Sequence, residues 1–144
     1  MTLRTIIASI RTGMLHKIRI GEKKYEVRKN SPWCDPPFRV LLCESGSGGK
    51  IKAEFICDYI RCGHIAPNGD LMLPVGITPK DCCLRLTELD AYSGGKPLYF
   101  WHVSEVVDYC SSKGQCVRNI SEFGIRHPPQ SWQYLKESGG EWDE

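Results

Sequence analysis

The chain has no long hydrophobic run. Its opening stretch, "MTLRTIIASIRTG", is broken by Arg4 and Arg11, so it makes neither the apolar core of an export signal nor a membrane span, and a cytoplasmic location is expected. Paired C-x2-C or C-C-H-H knuckles are also missing, which argues against a structural zinc site. The nearest approaches are Cys57 and Cys62 with His64, the adjacent Cys82 and Cys83, and Cys110 with Cys116 across "SSKGQ". Eight cysteines in 144 residues fall short of a disulfide scaffold's density, so they read as reduced thiols and no metal or cofactor is expected. No two of His16, His64, His102 and His127 stand at a spacing that argues for a shared ligand or a Ser-His-Asp unit. Internal repeats and low-complexity segments are absent as well.

What is present suits one domain with a real core: 41% of residues are hydrophobic and 25% charged. The net charge of +2 hides an asymmetry. Residues 1–61 carry twelve Lys or Arg against six Asp or Glu, a balance of +6, while residues 62–144 carry seven against eleven, a balance of −4. A polyanion could use the basic half.

Along the chain, "LRTIIASI" reads as a strand, and "TGMLHKIRIG" as a helix with Thr12 as cap, Met14, Leu15 and Ile18 at helical spacing, and Gly21 as stop. "KKYEVRKN" is a second strand. "FRVLLCES" and "KIKAEFICDYI" follow as strands joined by "GSGG". Residues 62–77 read as a loop, and "TPKDCCLRLTELDAY" as a helix capped by Thr78, with Pro79 in its first turn and Leu84, Leu86 and Leu89 inside. "LYFWHVSEVVDYC" is a long strand whose Tyr99 and Trp101 share one face and Phe100 the other. Strands with modest helices between them predict an α+β class and a small, highly curved mixed sheet or barrel.

The stretch "GEKKYEVRKN" concentrates the chemistry. Tyr25 and Val27 alternate toward a core, while Lys24, Glu26 and Arg28 share the other face. With Lys23, these cations beside a helix end would attract phosphate. Glu26 would either accept hydrogen bonds from a base edge or neutralise Lys24 and Arg28 in a surface charge ladder. Near the end, "PPQSWQYL" approaches as extended chain, with Gln130, Trp132 and Tyr134 on one side and Ser131, Gln133 and Leu135 on the other. Trp132 would plug the core, and Gln130 or Ser131 could supply a hydrogen-bonding group at a cleft.

"GEKKYEVRK" resembles the G-x-K-x-x-E-x-R signature of ASCH domains, which are small PUA-like β-barrels, and the helix "GMLHKIRIG" stands before it in the expected place. "LYFWHVSEVVDY" is similar to that family's late strand, and "ISEFGIRHPPQSWQYL" to the closing segment of bacterial and phage-type members. The resemblance implies one domain over residues 1–137 with an acidic tail at 138–144, a mixed barrel of about five to six strands with two or more short helices, and a ligand cleft between barrel and helices. It also implies an RNA-related role, with Lys23, Lys24 and Arg28 on phosphate, Glu26 and Gln130 on a base, and Ser131 and Trp132 nearby. DNA is a possible alternative ligand; no membrane association is expected. Some bacterial ASCH proteins remove the acetyl group from N4-acetylcytidine with a lysine, a threonine and a glutamate. Lys23 matches their lysine, but Glu26 stands where their threonine would. That enzymatic reading casts Lys23 as nucleophile or base, Glu26 as proton shuttle and Arg28 as oxyanion stabiliser. A third possibility is a protein-interaction domain with a solvated charged face.

Overall fold

The computed structural model describes residues 3–110 and 117–135; the acidic tail at 138–144 and Cys116 lie outside them. Among the described residues the strands in chain order are β1 (Thr5–Ile10), β2 (Tyr25–Arg28), β3 (Phe38–Glu44), β4 (Lys50–Cys62), β5 (His64–Ile65), β6 (Leu71–Met72), β7 (Tyr99–Asp108), β8 (Arg118–Asn119) and β9 (Trp132–Tyr134). Three short helices, α1 (Thr12–Arg19), α2 (Pro79–Cys82) and α3 (Leu86–Ser93), and a 3-10 turn at Ile120–Phe123 complete the fold. No helix among the described residues is long and apolar enough to cross a membrane.

A seven-stranded sheet runs in the order β2-β7-β4-β3-β1-β9, with β8 pairing the start of β4, and curls into a half-barrel. Among the described residues β1 and β3 pair in parallel and the other ladders are antiparallel. Register irregularities at Leu42/Cys43, Glu54/Ile56 and Cys57/Ile60 bend β3 and β4, because an extra residue in one strand increases local twist. The sheet therefore has seven strands where five to six were expected, while the α+β class and the curved mixed sheet agree with the sequence pattern.

Both faces of the sheet are covered. Ile6, Ala8, Phe38, Val40, Phe55 and Trp101 fill the concave side, with Trp132 and Tyr134 packed against them. On the outer side of β2 and β7, Tyr25, Val27 and Phe100 meet Leu71, Ile77, Cys82 and Leu89. A third cluster of Ile7, Leu41, Ile51, Tyr109, Ile120 and Leu135 backs β1, β3 and β4. Burial on two faces explains why Ile6, Ile7 and Ala8 run consecutively in β1 without polar alternation.

Three local expectations need correction. The segment 62–77 contains the β5-β6 hairpin. The single helix expected after Thr78 is two: Thr78 and Asp81 form a capping box for α2, but Cys83 turns left-handed at φ 56° and ends it, and α3 restarts at Leu86. Leu89 is then buried and Leu86 is exposed. Finally, Arg11 holds the cap position of α1 and Thr12 opens the helix, while Gly21, at φ 82°, follows its end as expected. Gly49 is required where β4 begins, since its φ is 88° and a Cβ there would lie 2.7 Å from Ile120.

A candidate nucleotide pocket at the barrel seam

β2 and β9 are the two ends of the sheet order, and backbone pairing does not join them. Arg28, the last residue of β2, spans the gap instead. Its Nη2 donates to the Ser9 carbonyl of β1 at 2.9 Å, and its Nη1 donates to the Ser131 carbonyl at 3.2 Å and the Ser131 hydroxyl at 3.3 Å. Ser131 leads into β9, and its carbonyl also accepts from the Ser9 backbone N–H. One guanidinium thus ties both sides of the seam, a task suited to a planar group with five donors.

The register of β2 against β7 places Glu26 opposite Trp101 and Arg28 opposite Tyr99. Alternation therefore aims both charges to the concave side, while Tyr25 and Val27 point to the outer cluster. Glu26 Oε2 accepts from Arg28 Nη2 at 2.5 Å, and Glu26 Oε1 lies 3.6 Å from Lys23 Nζ. Lys23 Nζ also donates to the Cys82 carbonyl at 2.5 Å. Only 2%, 6% and 7% of Lys23, Glu26 and Arg28 remain exposed, which rules out the solvated ladder. One carboxylate balances two desolvated cations, an arrangement that burial makes costly unless every partner is present.

These three residues floor a cavity of about 330 Å3. Ser9, Ile10, Arg11 and Met14 from the stretch joining β1 to α1, Val27 of β2, and Leu84, Glu88 and Tyr92 complete its lining. The volume lies at the low end of small-ligand sites. Among the described residues, Arg28 Nε is buried without a hydrogen-bond partner. Glu26 accepts a single side-chain hydrogen bond there, so its carboxylate retains acceptor capacity.

The remaining expected site residues lie elsewhere. Lys24 is exposed, donates from Nζ to the Gly21 carbonyl, and does not line the cavity. The strand face shared by Lys24, Glu26 and Arg28 is therefore corrected: Lys23, which precedes β2, supplies the inward lysine. Gln130 is exposed and outside the cavity. Ser131 acts from behind by holding Arg28, and Trp132 packs its ring 6.0 Å from Trp101. Arg11, Met14, Leu84, Glu88 and Tyr92 were not expected at the site, because only folding brings the stretch around α1 and the stretch from Leu84 to Tyr92 to the same cavity as β2. Glu88 and Tyr92, four apart on α3, were the available signal.

Other reactive groups offer the site no chemistry of their own. His102 Nδ1 contacts Asp58 Oδ1 at 2.7 Å, and its ring stacks on Tyr59 at 4.5 Å. Burial pushes the Cys57 and Cys82 thiols up to about 12, which makes them poor nucleophiles. No group of three or more His, Cys, Asp or Glu among the described residues could hold a metal ion.

No protein-family model matches the sequence, and no curated protein matches it significantly. Solved structures do match. The crystal structure of ASCH from Zymomonas mobilis superposes with a TM-score of 0.68 at 13% identity, over 92% of this chain and 88% of that one. A serine-to-alanine variant of the Zymomonas mobilis protein gives 0.69 at 13% identity, over 92% and 89%. Its tyrosine-to-phenylalanine variant gives 0.68 at 14% identity, over 92% and 91%.

Proposed function

We propose that this chain, which has the ASCH-type, PUA-like fold, binds RNA or a modified nucleotide by seating one nucleotide in the seam pocket. The observation that carries this reading is the charged floor of the cavity: Lys23, Glu26 and Arg28 all line a pocket of about 330 Å3, and the Lys23 ammonium there, with three N–H donors, gives one to the Cys82 carbonyl. Glu26 offers an acceptor beside it. An acceptor next to a donor complements a base edge that presents an amino group beside a carbonyl or ring nitrogen, as cytosine does. Arg28 adds a second cation, and Tyr92 provides a partly exposed aromatic wall for a base.

The test is a titration of labelled single-stranded RNA at low and physiological salt, with Tyr92→Ala as the variant least coupled to the core. Binding should weaken as salt rises, and the variant should lose about tenfold or more in affinity, the expected effect of losing one stacked base. Undetectable binding to single- and double-stranded RNA and DNA, even at low salt, would sink the proposal.

A second reading is favoured by the 3.6 Å approach of Lys23 Nζ to Glu26 Oε1, which places an amine beside a carboxylate base in the pocket. Water would add to the amide carbon of N4-acetylcytidine and the C–N bond would break, releasing acetate and cytidine. Lys23 would activate the water, Glu26 would carry the water's proton to the departing amine, and Arg28 would stabilise the oxyanion. Chromatography should then show cytidine with the wild type and none with Lys23→Ala. Absence of product from both proteins would leave the binding reading alone.

A further inference from the structure

The seam pocket has a neighbour at Glu88. A second cavity, of about 530 Å3, is lined by Lys17, Glu22, Lys80, Cys83, Leu84, Arg85 and Glu88. Leu84 and Glu88 line both cavities, so the two adjoin at these side chains. α1 contributes to both, with Met14 at the inner chamber and Lys17 at the outer, one helical turn apart. Tyr92 lines the inner chamber, and Cys83 and Lys80 line the outer.

The outer chamber is charged differently from the inner one. Glu88 is already engaged: its Oε1 accepts from the Arg85 backbone N–H at 2.9 Å and lies 3.4 Å from Arg85 Nε. The hydrogen bond from the Arg85 backbone N–H holds the Glu88 carboxyl below its ordinary range, so it stays an anion already matched by Arg85. Lys17 and Lys80 make no ion pair among the described residues, and Glu22 is the single remaining carboxylate of the chamber. Two unmatched ammonium groups thus face one carboxylate, next to a pocket sized for one base.

Arg11 at the inner cavity and Lys17 at the outer one stand six residues apart, about 9 Å along the α1 axis. A stacked strand advances about 3.4 Å per nucleotide. A phosphate held in the outer cavity would thus lie within about two or three nucleotides of the base in the inner one.

We propose that the outer chamber is a phosphate subsite in which Lys17 and Lys80 hold the backbone next to the nucleotide seated over Lys23, Glu26 and Arg28. The preferred ligand is then a single-stranded oligonucleotide and not a free nucleoside. This deepens the nucleotide-binding reading and rests on it.

The experiment compares wild type with the Lys17→Gln/Lys80→Gln double variant on three probes: a labelled eight-nucleotide single-stranded RNA of mixed sequence, an equimolar mixture of nucleoside 5′-monophosphates, and nucleoside triphosphates. Both lysines reach solvent, so circular dichroism should show an unchanged fold. The double variant should bind the octamer about tenfold more weakly. Its dependence of log affinity on log salt should flatten by about 0.7 for each phosphate no longer neutralised. Monophosphate binding should not change.

Unchanged octamer affinity in the double variant would overturn the subsite and leave the inner pocket standing. An equal loss for triphosphates would overturn the oligonucleotide assignment in favour of a polyphosphate tail. If the wild type bound none of the three probes, the nucleotide reading itself would fall, and the subsite with it.

Discussion

Glu26→Gln should destabilise the protein by about 3–5 kcal/mol, the cost of removing one partner from a buried ion cluster. The amide keeps the shape and an acceptor, but it leaves Lys23 and Arg28 desolvated with no anion at the pocket floor. Arg28 cannot move out to water without breaking its bonds to Ser9 and Ser131, so the seam should open with it. Urea denaturation would measure the loss. Lys23→Met placed on top of Glu26→Gln should recover part of it, because one of the two orphaned cations is then gone. A single-variant loss below about 1 kcal/mol, the range of a solvated pair, would mean that the cations do not depend on Glu26.

Trp101→Ala should cost about 3–5 kcal/mol, since the residue is fully buried and its removal leaves a large cavity. Its ring meets Phe38 edge-on at 5.5 Å and Trp132 at 6.0 Å, and it stands opposite Glu26 in the β2-β7 register. Trp101→Phe should be far milder, under about 1.5 kcal/mol. The reason is specific: the indole Nε1 is buried with no partner among the described residues, so phenylalanine removes an unsatisfied donor along with some volume. Thermal denaturation of both variants tests this. A phenylalanine variant as unstable as the alanine one would show that shape, and not the unpaired N–H, governs the site.

These two expectations locate the limits of sequence reading. Period-two alternation was enough to separate Tyr25 and Val27 from Glu26 and Arg28, because side chains on successive strand residues must point to opposite faces. It misled at Lys24, which precedes β2: there the backbone N–H goes to the Asp81 carbonyl and the side chain turns to Gly21. The charge ladder was a reasonable alternative until burial was known, since a Lys, a Glu and an Arg on one face look the same whether that face meets water or a barrel. The split between α2 and α3 escaped notice because Cys83 carries none of the usual marks of a left-handed residue.

Sequence by itself determined the local matters: where the main strands run, the cap at Thr78, the stop at Gly21, and the grouping of Lys23, Glu26 and Arg28 within six residues. These follow from propensity, periodicity and turn chemistry, all of which act over a few bonds. Tertiary structure alone decided that Arg28 is the clasp between β2 and the β1-β9 edge, that Ser9 and Ser131 receive it, and that Tyr92 and Met14 line the same pocket. Those partners of the clasp stand 19 and 103 residues from Arg28. Their meeting depends on how far bulges and twist curl the whole sheet, a sum over many strands that no short stretch encodes.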